Sequence, residues 1–415
     1  MKKVTAVAMA GLLSSSACNV SWAQSTVTLY GLVDLGFNYL SSAQTGQAGG
    51  HPVGHSQYSM QEGGSGGISG SRWGLKGNED LGGGLSAIFQ VENGFSANTG
   101  ALGQGGDMFG RQAWVGLKSE RFGAVTLGRQ YDSVVTYAQP FGAAAQWAGY
   151  ISAHPGDVDN MENTRRINNS IRYASPSYRG LTFGGLYSLG GVPGSTGRNQ
   201  VFSLGAAYTN GPLSVGAAYL NARNPNLSFY GTNGNAGTTV TSNNVGSVGS
   251  ATTAQSNPVY GGYASARTLQ IAAVGGAYTI GAATLGATYS YSRFGGLGDI
   301  GTSGPNPFGY SGNASFNNAE FNFKYQVTPA FLAGIAYDFT HGSGASGREG
   351  ATYHQGSVGV DYFLSKRTDL YTILVYQHAS GTDSLNQPAV ASITGQTASA
   401  SNHQVAVRLG MRVRF

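Results

Sequence analysis

Cysteine is almost missing from this sequence: of 415 residues only Cys18 carries a thiol, and it lies within the first 23. A disulfide framework is therefore excluded, and a chain of this size has to be held by packing and backbone pairing. Charge is also scarce, at 10% Asp, Glu, Lys and Arg, against roughly 25% in ordinary soluble domains. The 23 basic and 18 acidic residues give +5, which falls to +3 without Lys2 and Lys3. That excess is too mild to point to nucleic acid as a partner. Long apolar runs are absent as well. Beyond residue 23 no stretch reaches the roughly 18 apolar residues of a membrane helix, so any crossing of a membrane has to be made by a closed barrel of strands.

Catalytic and metal signatures are equally thin. The seven histidines, at 51, 55, 154, 341, 354, 378 and 403, show no metal-ligand spacing, and neither a Gly-x-Ser-x-Gly elbow nor a Walker loop occurs. No metal, no cofactor and no catalytic residue is expected, and the chain does not read as an enzyme.

What is present is glycine, aromatic residues and alternation. There are 67 Gly, 24 Tyr and 18 Phe. Residues 1–23 begin with Lys2 and Lys3, run through an apolar stretch to Leu13 and end in Ser21-Trp22-Ala23, the pattern of a cleaved secretory signal peptide. Ser-Ser-Ala precedes Cys18, where a lipoprotein signal would want a Leu three residues upstream. Residues 24–415 then read as one domain.

The last stretch, His403 to Phe415, sorts at period two into an apolar face (Val405, Val407, Leu409, Met411, Val413, Phe415) and a face bearing Arg408, Arg412 and Arg414. Such a strand needs an apolar surrounding on one side and water on the other. Thr26 to Tyr39 repeats the pattern, so the two ends can pair and close a sheet. Between them short turns (Glu79 to Gly84, Pro176 to Gly180, Asn210 to Pro212) alternate with long polar loops (Ser41 to Gly67, Ala222 to Ala266, Ser380 to Asn402), and about sixteen strands are counted. Tyrosines fall near strand ends, as at Tyr208, Tyr278, Tyr325 and Tyr362, which suits interfacial girdles. The fold class is all-β, a transmembrane antiparallel barrel, and a secreted β-sandwich fits less well because the strands are long.

Several motifs occur in order: Val27-Thr28-Leu29-Tyr30-Gly31, Ser71-Arg72-Trp73-Gly74-Leu75-Lys76-Gly77, Phe109-Gly110-Arg111-Gln112, Leu127-Gly128-Arg129-Gln130 and Asn169-Ser170-Ile171-Arg172-Tyr173. Together they resemble the Gram-negative general porins of the beta-proteobacterial type, over the whole mature chain. The resemblance implies a sixteen-stranded, homotrimeric, water-filled pore whose third loop folds into the lumen. It further implies contact with outer-membrane lipid and lipopolysaccharide, delivery to the barrel assembly machinery through a signal ending in Phe415, and passage of small hydrophilic solutes and ions.

The third loop would be residues 132–167. Its first half, Val134 to Tyr150, has no charge, which fits packing against the inner wall. Its second half carries Asp157, Asp159 and Glu162, then Arg165 and Arg166. The resemblance places Arg72 and Arg111 on the wall opposite the loop, and Lys76 and Arg129 are further candidates for the constriction. Enteric relatives carry an acid between the Pro and Phe of the loop tip. Here Pro140 and Phe141 are adjacent and followed by Gly142, so a weak preference for anions is expected. A barrel acting mainly as a surface adhesin or receptor through its long loops is the alternative.

Overall fold

The computed structural model describes residues 25–231 and 242–415, so the expected signal peptide lies outside the described residues. Among those residues seventeen strands join in one antiparallel sheet. The first four are β1 (Thr26–Ala48), β2 (His51–Glu62), β3 (Arg72–Gly82) and β4 (Leu85–Gly94). The next six are β5 (Gln112–Ser119), β6 (Gly123–Gln130), β7 (Ile167–Ala174), β8 (Leu181–Ser188), β9 (Val201–Asn210) and β10 (Leu213–Arg223). The last seven are β11 (Thr268–Ile280), β12 (Ala283–Leu297), β13 (Gly312–Thr328), β14 (Phe331–Gly342), β15 (Ala351–Phe363), β16 (Thr368–Gly381) and β17 (His403–Arg414). From β3 onward each strand pairs with the next, β1 pairs with both β2 and β3, and β1 pairs with β17 from Leu32↔Arg414 to Leu40↔Ala406, which closes the barrel.

Seventeen strands fill sixteen positions, because β3 flanks the lower part of β1 (Thr26 to Leu32) and β2 the upper part (Leu35 to Ala48). The expected count stands, but the Gly- and Ser-rich stretch read as a loop is in fact the upper half of a hairpin. Its sequence has no apolar alternation, and backbone pairing with β1 holds it.

Alternation works as expected at the seam. Along β17 Leu409, Met411 and Val413 are exposed on the outside, whereas Gln404, Arg408 and Arg412 are buried inside. Arg408 donates to Asp34 Oδ1 at 3.0 Å and to Asn38 Oδ1 at 2.7 Å. Arg412 grips Asp369 through Nε and Nη2, with Asp361 at 3.6 Å, and Arg414 reaches Asp369 at 3.0 Å. The three arginines of this strand are thus neutralised by three carboxylates of the wall.

Phe415 completes the closure. Its N–H donates to Gly31 O at 2.9 Å, and Gly31 N–H donates back to Phe415 O at 3.0 Å. A Cβ on Gly31 would sit 2.5 Å from the Phe415 ring, so glycine is required where the ring crosses β1. Deleting Phe415 is expected to remove both bonds and the ring contact, and to lower the yield of folded, heat-modifiable barrel in the outer membrane. Unchanged yield and migration would rule out this role for the residue.

Residues 131–166, between β6 and β7, run inside the barrel. The helical turn Ser133–Tyr137 lies against β9 and β10, and residues 144–148 lie against β15. Trp147 is almost fully buried on the wall at Gly334, where a Cβ would come within 2.4 Å of the indole. The uncharged first half of the loop therefore does pack on the inner wall.

Candidate functional site

The loop is fixed at three points before it meets the lumen. Asp132 caps the helical turn by accepting from Val134 N–H at 2.6 Å, and Asn160 Nδ2 donates to its other oxygen at 2.7 Å, which ties the two arms of the loop together. On β13, Glu320 accepts from Ala143 N–H at 2.8 Å and Asn322 Nδ2 donates to Phe141 O at 2.9 Å. The third anchor is a buried charge cluster. His154 Nδ1 meets Asp159 Oδ2 at 2.6 Å, and its Nε2 lies 3.6 Å from Asp338 and 3.8 Å from Glu320. Burial opposes charge on His154, but Asp159, Asp338 and Glu320 together push its pKa well above the usual imidazole value.

Between this loop and the wall formed by β1–β6 lies a cavity of about 720 Å³. Arg72, Arg111 and Arg166 line it, with Gln139 and Pro140 of the loop tip and the acids Glu62 and Glu162. Arg111 Nε is paired with Glu92 Oε1 at 2.7 Å, and its Nη2 donates to Tyr131 Oη at 3.2 Å. Neither Arg72 nor Arg166 has a carboxylate within salt-bridge reach among the described residues. The Arg166 guanidinium lies over the Tyr131 ring, 5.8 Å from its centroid. Burial, and then the nearby Arg111, lower its pKa to about 10, which leaves it cationic at neutral pH. Glu162 is pushed well above the usual carboxylate range, first by burial and then by Asp157 and Glu320, so its negative charge is weakened. The lining thus favours positive potential.

Of the residues singled out from the sequence, Arg72, Arg111, Arg166, Glu162 and Pro140 come together at this cavity. Others lie elsewhere. Lys76 faces inward but sits four residues below Arg72, about 13 Å along the strand, with its ammonium over the Tyr30 ring. Arg129 donates to Gly110 O at 2.7 Å and also bonds Asn168, outside the lining. Arg165 turns to the loop end and packs over Tyr230 at 5.0 Å. Asp157 faces the interior of the loop itself, whereas Asp159 turns to the wall, where it meets His154 and accepts from Ser290 Oγ of β12. Asp157 accepts from Glu162 N–H, Thr164 N–H and Thr164 Oγ1, at 2.8, 3.1 and 2.8 Å. Phe141 is buried against Gly275 of the wall, and Gly142 closes the tip's turn through its N–H to Gln139 O.

Three participants were not singled out from the sequence. Glu92 shares an inward face with Gln90, so strand parity was the available signal. Glu62 ends β2, which was read as loop, and Tyr131 sits just before the expected third loop and carries no charge to draw notice.

The site can be set beside known proteins. Residues 5–382 match the Gram-negative porin family. An outer membrane porin protein of Bordetella pertussis is 37% identical over 238 residues, 52% of this chain and 60% of that protein. Outer membrane porin protein 32 of Delftia acidovorans is 35% identical over 231 residues, 52% of this chain and 58% of that protein. The chain thus matches about three fifths of the length of these curated relatives. Among solved structures, the anion-selective porin from Comamonas acidovorans superimposes with a TM-score of 0.66 at 20% identity, over 94% of this chain and 100% of that one. A trimer form of OmpT from Vibrio cholerae gives 0.59 at 18% identity, over 94% and 99%. With a family match across most of its length and a closed sixteen-position barrel, the chain belongs to the Gram-negative porin family and is a multi-pass β-barrel of the outer membrane.

Proposed function

We propose that the chain forms a water-filled channel for passive diffusion of small hydrophilic solutes and ions, with a weak preference for anions. The family indicates a channel protein rather than an enzyme. The observation that carries the selectivity is the lining of the cavity: three guanidiniums, only one of them ion-paired among the described residues, face a loop tip without an acid. Fixed cations across a narrow lumen raise the local concentration of anions and orient dipolar solutes. Arginine also keeps its proton in confinement. A structural neighbour is named an anion-selective porin, and another is described in a trimer form. A homotrimer in lipid and lipopolysaccharide, delivered by the barrel assembly machinery, is the assembly this reading carries.

Single-channel recording in planar bilayers tests it. Discrete open steps are expected, with a zero-current potential of anion-preferring sign under a salt gradient. The preference should fade as the screening length shortens towards roughly 3 Å at 1 M salt. Absence of conductance from correctly folded protein would overturn the channel reading, and a cation-preferring potential would overturn the selectivity.

A further inference from the structure

Below the arginine-lined cavity, towards the short-turn end of the barrel, the same wall holds a second chamber of about 410 Å³, within the size range of small-molecule sites. Register places its parts. Thr28, Lys76, Gln90 and Trp114 sit opposite one another on β1, β3, β4 and β5, all on the inward face. One level down, Ile88 lies opposite Asn78, and a further level down Lys118 lies opposite Ser86. An indole, an apolar floor and two ammonium groups therefore share one concave surface.

The polar groups that could quench it are engaged elsewhere. Glu92, one level above, is held by Arg111, Tyr30 and Tyr131, and Gln90 Nε2 donates to Tyr30 Oη at 2.6 Å. The carboxylate lining the chamber is Glu120, and neither Lys76 nor Lys118 has an acid within salt-bridge reach among the described residues. Two ammonium groups against one carboxylate leave a net single positive charge, suited to a monoanion. Trp114 Nε1 is already satisfied by Gln112 Oε1 at 3.1 Å, so the face of its half-buried ring is what it offers to a ligand. A ring stacked on an indole gains from offset or edge contact beyond its area burial.

The geometry points to a binding subsite for small aromatic monocarboxylates, distinct from the arginine-lined narrowing, with the ring on Trp114, the carboxylate on the Lys76 ammonium beside Tyr30, and Lys118, two levels down, adding to the positive potential. This subsite stands on its own residues and does not require that the protein conduct.

Equilibrium titration of the full-length, detergent-folded protein with benzoate tests it, with acetate as the probe that keeps the carboxylate and lacks the ring. Benzoate is expected to bind more tightly than acetate by tenfold or more. Lys76→Gln and Trp114→Leu should each weaken benzoate about tenfold, and Arg72→Gln should leave it within twofold. Heat-modifiable migration of each variant checks that the barrel is intact, and Trp114→Tyr should recover most of the benzoate affinity. Equal binding of benzoate and acetate, wild-type affinity in both Lys76→Gln and Trp114→Leu, or loss of binding in Arg72→Gln alone would each overturn the assignment. Loss of conductance with benzoate binding intact would count against the channel reading and leave the subsite standing.

Discussion

Replacing Arg72 and Arg111 together by Gln is expected to turn the zero-current potential from anion-preferring to cation-preferring without closing the pore. The two arginines do not contribute alike. Among the described residues Arg72 has no carboxylate within salt-bridge reach, so its removal takes away one free positive charge. Arg111 neutralises Glu92 at 2.7 Å, so its removal also releases a carboxylate that had been compensated. Arg166 would then share the lining with Glu62 and Glu162, and Glu92 would be left uncompensated. Two unit charges about 4 Å apart interact by roughly 1 kcal/mol even in bulk water, and more in a confined lumen, so a change of two charges should shift the ion ratio several-fold. The check is the reversal potential of single channels under a fixed gradient, compared with Arg72→Gln alone. An unchanged potential in the double variant would show that these side chains do not set the selectivity.

The second large effect concerns the loop. Asp159→Asn leaves the imidazolium of His154 without its nearest partner, and breaking one side of a buried pair typically costs on the order of 3–5 kcal/mol. The loop should then come away from the wall, seen as larger current fluctuation in single channels and faster proteolysis between residues 132 and 166. A pH dependence of stated sign accompanies this. The pKa of His154 is raised, so its contribution is complete below the ordinary imidazole value of 6.5 and is lost as pH rises through the higher folded value. Asp157 is raised to about 7, first by burial and then by Asp159, so its contribution is complete below 3.8 and is lost between there and about 7. Asp159 is held below the usual range, chiefly by His154 working against burial, and weakens the loop only in strong acid. Loop fluctuation should therefore be lowest in mild acid and grow several-fold from pH 5 to pH 9. A flat response over that range, with Asp159→Asn behaving as wild type, would remove the cluster from this role.

Period-two alternation told which way the residues of β17 and β1 face, because lipid on one side and water on the other leave no other arrangement. The loop was visible as a long uncharged segment, which water alone would not keep ordered. Depth was not visible. Arg72 and Lys76 share one face of β3, and parity cannot say that one stands at the narrowing and the other about 13 Å below it. Nor does sequence reveal that Asp157 points into its own loop and Asp159 to the wall, since hydrogen bonds from Thr164 to the one and from His154 and Ser290 to the other decide that. The hairpin half β2 was missed because it needs no apolar face: it pairs with β1 and carries mostly polar side chains.

The ion pairs at the seam have a consequence for how the two ends of the chain find each other. Asp34 and Arg408 are 374 residues apart in sequence, so their meeting closes a loop that spans nearly the whole chain. Backbone bonds alone would accept a slip of one residue between β1 and β17. Such a slip would reverse the faces of β17 and turn Arg408 and Arg412 outward into lipid, at roughly 2–4 kcal/mol for each arginine near the midplane. The charges inside the seam thus act as a vernier: a slip by an odd number of residues puts the arginines of the last strand in hydrocarbon, and a slip by an even number keeps them inside but parts Arg408 from Asp34.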